Sequence, residues 1–159
     1  MTYDEAFFDA GRQYFAEGLP SWKDFVFNVL QVKSIIDFGC GQGDWLELLE
    51  PHIPVLGIDG YANILRIKPE NFLLKALDTP IDIASYDAAM SLETMEHVTN
   101  ATEHIFLDNL LRCAPRIVIF GVASGRGVYD PTQARVNRLG ETIFGGKDWT
   151  MQRGRHHVN

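Results

Sequence analysis

The stretch SIIDFGCGQGDWLELLE runs from Ser34 to Glu50. An apolar run ends in Asp37, and Gly39, Gly41 and Gly43 follow at alternate positions. Trp45, Leu46 and Leu49 then recur at helical spacing over 43–50. A strand, a bare turn and a helix in that order form a nucleotide-cofactor arrangement. The turn carries almost no side chains, so a ligand can lie against the backbone, and the helix start offers amides and a positive dipole end. A dinucleotide fingerprint reads G-x-G-x-x-G. Here Asp44 stands where its third glycine would be, and the pattern is D-x-G-x-G-x-G over Asp37, Gly39, Gly41 and Gly43. That form suits a cofactor without a pyrophosphate. An acidic residue beside the turn also favours a cationic amino group.

Outward from this turn, short apolar strands alternate with helices. The spacing predicts strands at 34–38, at 55–59 (VLGID), at 72–77 (FLLKAL), at 86–92 (YDAAMSL) and at 116–123 (RIVIFGVA). It predicts a helix over 101–112, introduced by Asn100. Such alternation implies a parallel sheet covered on both faces. Two helices precede it. Thr2 and Glu5 fit a capping box, Phe7, Phe8, Gly11, Tyr14 and Phe15 follow at helical spacing, and Gly18 and Pro20 stop that helix. Ser21 can cap a second, with Trp22, Phe25, Val26, Val29 and Leu30 on one face. From Ser124 the chain is rich in glycine and polar residues, which predicts a long loop with one short helix near 131–139. The organisation is one domain over 1–159: N-terminal helices at 1–32, a cofactor-binding core at 33–123 and a loop-rich segment at 124–159.

The bulk numbers agree. A chain of 159 residues with 46% hydrophobic and 22% charged side chains suits one globular domain. No apolar run reaches the length of a membrane span. Two cysteines, Cys40 and Cys113, make no disulfide framework, so a reducing, cytoplasmic setting is expected. A net charge of −7 argues against a nucleic-acid partner. The charge is uneven: residues 1–123 carry 8 basic and 18 acidic side chains, and residues 124–159 carry 6 and 3. A mildly basic tail could meet an anionic acceptor, or it could be a solvated loop.

At this point the sequence resembles the class I methyltransferases that use S-adenosylmethionine. IIDFGCGQGDWL looks like the family's first motif, VLGIDGY its second, LKALDTP its third and YDAAMSLETMEHV its fourth, in the family's order and spacing. YDEAFFDAG and HHVN also resemble bacterial and phage members. The resemblance implies a Rossmann-like α/β three-layer sandwich, with about five mostly parallel strands in the order 3-2-1-4-5. It implies S-adenosylmethionine as cofactor. Gly39 and Gly41 would pass under its methionine and ribose parts, and Asp37 would help hold the amino end. Asp59, 22 residues after Asp37, would take both ribose hydroxyls, a task its two oxygens suit. Leu77 and Asp78 would sit at the adenine, and Ser91 and Leu92 below the methionine. Cys40, Gly43 and Gly60 complete the implied cofactor set. Asp78 could instead cap the next segment.

Methyl transfer from a sulfonium is an in-line displacement that needs alignment and exclusion of water. An oxygen acceptor must also lose its proton, to a general base or with metal assistance. ETMEH supplies the candidates: Glu93, Glu96 and His97 just past the fourth strand. In a helical turn these would share one face. Two carboxylates and an imidazole can hold a divalent metal or form a base with its orienter. The pattern resembles one that supplies metal ligands in some O-methyltransferases, including quinone-biosynthetic and small-RNA 3′-end enzymes, while many relatives carry similar residues and no metal. His97 could equally cap the loop. His156 and His157 are further acceptor-side candidates.

The expected function is methyl transfer to a small-molecule acceptor at oxygen, such as a sugar. Two alternatives stand beside it. One is a protein that binds S-adenosylmethionine without turnover. The other is an NAD-dependent dehydrogenase, against which the missing third glycine and the absence of a hydride-site pair both count. The resembling family continues past its HVN stretch into a helix and two more strands, whereas this sequence stops at Asn159. The fifth strand would then be an edge. Either 124–159 covers it, through Ile143, Phe144 and Trp149, or two chains pair there as a homodimer.

Overall fold

The computed structural model describes Arg12 and residues 18–61, 64–114 and 116–121, apart from the side chain of Glu96. Five strands form one sheet: β1 (Ile35–Phe38), β2 (Val55–Asp59), β3 (Phe72–Leu74), β4 (Ala88–Leu92) and β5 (Ile117–Gly121). Their order is β3-β2-β1-β4-β5, and all pairs are parallel. Both this order and the Rossmann-like architecture are those expected. The expected first N-terminal helix and the segment 124–159 lie outside the described residues.

All four residues of β1 are buried, because both faces of a parallel sheet are covered. Period-two alternation divides the core accordingly. Ile35, Ala88 and Met90 point to the layer with Trp22, Val26, Leu46 and Leu49. Ile36, Phe38 and Ala89 point to the opposite layer, with Phe106, Leu110 and Cys113. Phe38 meets Phe106 edge to face at 6.4 Å between ring centroids.

Helix α1 (Leu19–Asp24) begins after Gly18. Pro20 sits in its first turn, where the missing N–H costs nothing, so Pro20 starts this helix and Ser21 lies inside it. The helix continues as a π-helical stretch, Phe25–Leu30, ended by Gln31 in a left-handed conformation (φ 52°). The wider turn changes the expected apolar face. Trp22 and Val26 are buried, while Phe25 and Val29 are 38% and 63% exposed. Helix α2 (Asp44–Glu47) is one turn long. Helix α3 (Glu103–Cys113) begins after Thr102, two residues later than Asn100 would place it. The outer edge of β5 has no strand partner among the described residues.

Candidate functional site

The glycine turn joins the C-terminal end of β1 to α2. Gly39, Gly41 and Gly43 all adopt positive φ, at 85°, 56° and 88°. Only glycine does this without strain. Four of the turn's amides are spent inside the protein. Gly39 N–H and Cys40 N–H donate to Ile58 O, Gly43 N–H donates to Cys40 O, and Gly41 N–H donates to Asp59 Oδ2 at 2.9 Å. A phosphate cradle needs free amides at this position, and these four are committed.

Asp59 closes β2 and faces the turn. Beside its bond from Gly41, its Oδ1 accepts from Tyr61 N–H at 2.9 Å. Each carboxylate oxygen has a second lone pair. Burial raises its pKa, and the amides of Gly41, Tyr61 and Gly60 pull the other way. Asp37 lies deeper, at 2% exposure. Burial pushes its carboxyl well above the usual carboxylate range, and the neighbouring Asp59 pushes it further. Among the described residues no donor is bonded to its side chain. An orphaned buried carboxyl beside a second one favours a cation between them or nearby.

Gly39, Gly41 and Asp59 border a cavity of about 370 Å³ at the carboxyl ends of the strands, the position where α/β sheets hold ligands, with Asp37 buried behind its wall. Eight of the expected site residues line it: Gly39, Gly41, Asp59, Gly60, Leu77, Asp78, Glu93 and His97. Tyr61, Ala76, Thr94, Val98 and Thr99 also line it; the first four lie inside the quoted motifs but were not singled out, and Thr99 lies just past the last of them. Four other expected residues also stand behind the wall. Ser91 is fully buried, and its hydroxyl donates to Phe38 O at 2.9 Å, tying β4 to β1. Cys40 Sγ occupies the space beside Gly57, and Gly43 packs on Ile67. Leu92 packs on Gly121. Asp44, in place of the third dinucleotide glycine, takes Arg12 at 2.6 Å and Arg66 at 3.1 Å and fastens both to the start of α2.

The segment that carries Leu77 and Asp78 has little regular structure of its own. Asn109 of α3 holds it. That side chain is fully buried; its amide donates to Leu77 O at 3.2 Å and Thr79 O at 2.8 Å, and its oxygen accepts from Ile81 N–H at 3.0 Å. A polar residue within the apolar stripe of Phe106, Leu110 and Cys113 was the available signal. Thr102 reaches Asp78 only at 3.5 Å, the outer limit of a hydrogen bond.

Glu93 and His97 do not share the single helical turn expected, and the side chain of Glu96 lies outside the described residues. Glu93 precedes the turn in a left-handed conformation (φ 53°), and only Met95–His97 forms a short 3-10 turn. Its three-residue period breaks the i, i+3, i+4 register. Among the described residues no group of three acidic, histidine or cysteine side chains could hold a metal ion. His97 stands at the cavity rim, and partial burial lowers its pKa from the ordinary histidine value.

A parallel 3-2-1-4-5 sheet, with an acid behind a bare turn and a second acid at the end of β2, defines a nucleoside-cofactor domain. The model of a methyltransferase domain family matches residues 11–156, and the chain belongs to that family. Solved structures agree in fold. The sugar N-methyltransferase KedS8 from Streptoalloteichus superposes with a TM-score of 0.61 and 16% identity, over 82% of this chain and 57% of that one. An S-adenosylmethionine-dependent methyltransferase from Clostridium acetobutylicum gives 0.54 and 12%, over 67% and 52%. The amino pentose methyltransferase CalS10 from Micromonospora echinaspora, solved with S-adenosylmethionine bound, gives 0.52 and 15%, over 72% and 53%. The chain thus spans little more than half the length of these structures. No curated protein matches it in sequence.

Proposed function

We propose that this chain binds S-adenosylmethionine in the cavity at the ends of β1 and β2 and transfers its methyl group to a small-molecule acceptor. The observation that carries the reading is the pairing of a bare turn whose amides are internally committed with the orphaned carboxyl of Asp37. A pyrophosphate would meet carboxylates and spent amides there, whereas a nucleoside with a cationic amino-acid tail meets complementary charge. That argues for S-adenosylmethionine over NAD. Asp59 would offer its remaining lone pairs to the ribose hydroxyls, Asp37 behind the turn would favour the ammonium through its charge, and Leu77 and Asp78 would border the adenine.

The bound sulfonium supplies an activated methyl group. The protein's part is to align the acceptor with it and to take a proton. The acceptor atom is an oxygen, and a sugar hydroxyl suits the polar rim of Glu93, His97 and Thr99. His97, its pKa lowered, is neutral near pH 7 and accepts the hydroxyl proton as the oxygen attacks the methyl carbon. The bound sulfonium would give up the methyl group and keep the electron pair of that bond, and His97 would then return the proton to water.

Thermal unfolding with S-adenosylhomocysteine and with NAD tests the reading. At a hundredfold excess over Kd a ligand stabilises by about 2.7 kcal/mol, or roughly 5–11 °C for a domain of this size. S-adenosylhomocysteine should give that shift and NAD should not. A shift with NAD alone would overturn the proposal. Binding of S-adenosylmethionine without methyl transfer across a panel of hydroxylated acceptors would favour a non-catalytic binding protein.

A further inference from the structure

The bare backbone of Gly39 is approached most closely by the protein itself. A Cβ placed on Gly39 would fall 2.2 Å from Thr94 Oγ1, 2.3 Å from its Cγ2 and 2.8 Å from its Cβ. The Thr94 side chain therefore rests on the glycine. It is tied on its other sides. Its hydroxyl donates to Leu92 O at 3.0 Å, at the end of β4. Its carbonyl accepts from His97 N–H at 2.9 Å, which closes the Met95–His97 turn. The residue before it, Glu93, holds a left-handed backbone and donates its N–H to Gly121 O at 3.0 Å. Thr94 is 8% exposed, and beside the glycine it borders the cavity.

We infer that Thr94 is a positioning residue that registers the glycine turn under the cofactor against the turn that carries His97. The inference rests on the methyltransferase reading above. Repulsion between atoms in contact rises steeply, so a shift of Gly39 by a few tenths of an ångström toward Thr94 pushes on its side chain. The β-branched side chain has few rotamers to absorb it, and its oxygen is held by Leu92. The displacement leaves through the Thr94 carbonyl to His97. A cofactor settling on the turn thereby sets the proton acceptor, and alignment errors near 1 Å cost about a hundredfold in rate. Thr94 acts through Gly39 and His97 and need not touch the reacting atoms.

The test follows the His97 backbone amide by nuclear magnetic resonance in the full chain. With S-adenosylhomocysteine at saturation, the wild type and Thr94→Ser should show a clear displacement of this resonance. Thr94→Ala should still bind the ligand by calorimetry, with the His97 displacement reduced to less than half. A cofactor-free arm uses Gly39→Ala. Its methyl should displace the His97 amide in the wild-type background and at least twofold less in the Thr94→Ala background. Equal displacement in both backgrounds overturns the inference, whatever the ligand does. If Gly39→Ala does not fold, a full wild-type displacement by ligand in Thr94→Ala overturns it instead. Failure of the wild type to bind S-adenosylhomocysteine would strike the methyltransferase reading, and the cofactor-free arm would still decide the role of Thr94.

Discussion

Replacing Asp59 by alanine should separate the two tasks of its carboxylate. In the ligand-free chain it holds Gly41 N–H and Tyr61 N–H, each at 2.9 Å. A hydrogen bond to a charged group contributes about 1.5–3 kcal/mol, but the raised pKa of Asp59 shows that burial offsets part of this. A net stability loss of about 1–3 kcal/mol is expected, small enough for a folded variant. Ligand affinity should fall further. Losing the bonds to the ribose costs about 1.5–3 kcal/mol, or roughly 10- to 150-fold in Kd. Asp59→Asn should fall between the wild type and alanine, because it keeps one oxygen and turns a donor toward an N–H. Calorimetry with S-adenosylhomocysteine at neutral pH measures both variants. An unchanged Kd in folded Asp59→Ala would refute the assignment of Asp59 to the ribose.

Three further outcomes are expected. Asp37→Asn removes a carboxyl whose pKa is raised by burial and by Asp59. The folded chain therefore loses stability as pH rises from the ordinary carboxylate range through the Asp37 pKa, and the asparagine variant, left with only the raised Asp59, should lose less. Its advantage in melting temperature should widen with pH while its affinity for S-adenosylhomocysteine drops; a constant gap would count against this titration. Asn109→Ala leaves Leu77 O, Thr79 O and Ile81 N–H without their partner and should cost at least about 2 kcal/mol in denaturant unfolding. At position 93, Glu93→Gly should be more stable than Glu93→Ala by about 1 kcal/mol, since both lose the carboxylate and only alanine must hold φ 53°; equal stability would mean that the backbone relaxes.

The sheet was legible because β1, β2 and β4 are short apolar runs bounded by turn residues, and a parallel sheet makes such runs buried on both faces. Asp37 and Asp59 were legible for a similar reason: an acid at the end of an apolar strand is hard to explain by packing. The neighbours of the glycines were not. That Thr94 stands on Gly39 depends on strands β1 and β4 lying side by side, a contact between residues far apart in sequence. The register of ETMEH was misjudged because residue spacing cannot show the left-handed backbone at Glu93. Phe25 and Val29 read as core on a regular helix, and the π-helical stretch turned them outward. Ser91 and Cys40 sit inside recognisable motifs, yet they brace the strands and the turn.

The central claim is that the cofactor lies at the carboxyl ends of β1 and β2, and amide chemical-shift mapping tests it most directly. Titration of the full chain with S-adenosylhomocysteine should displace the amides of Gly39, Gly41, Gly60, Tyr61, Leu77 and Asp78, which line the cavity. Amides on the far ends of the same strands, such as Ile35 and Val55, should stay in place. Displacements confined to those far ends, or none at saturating ligand, would contradict the account.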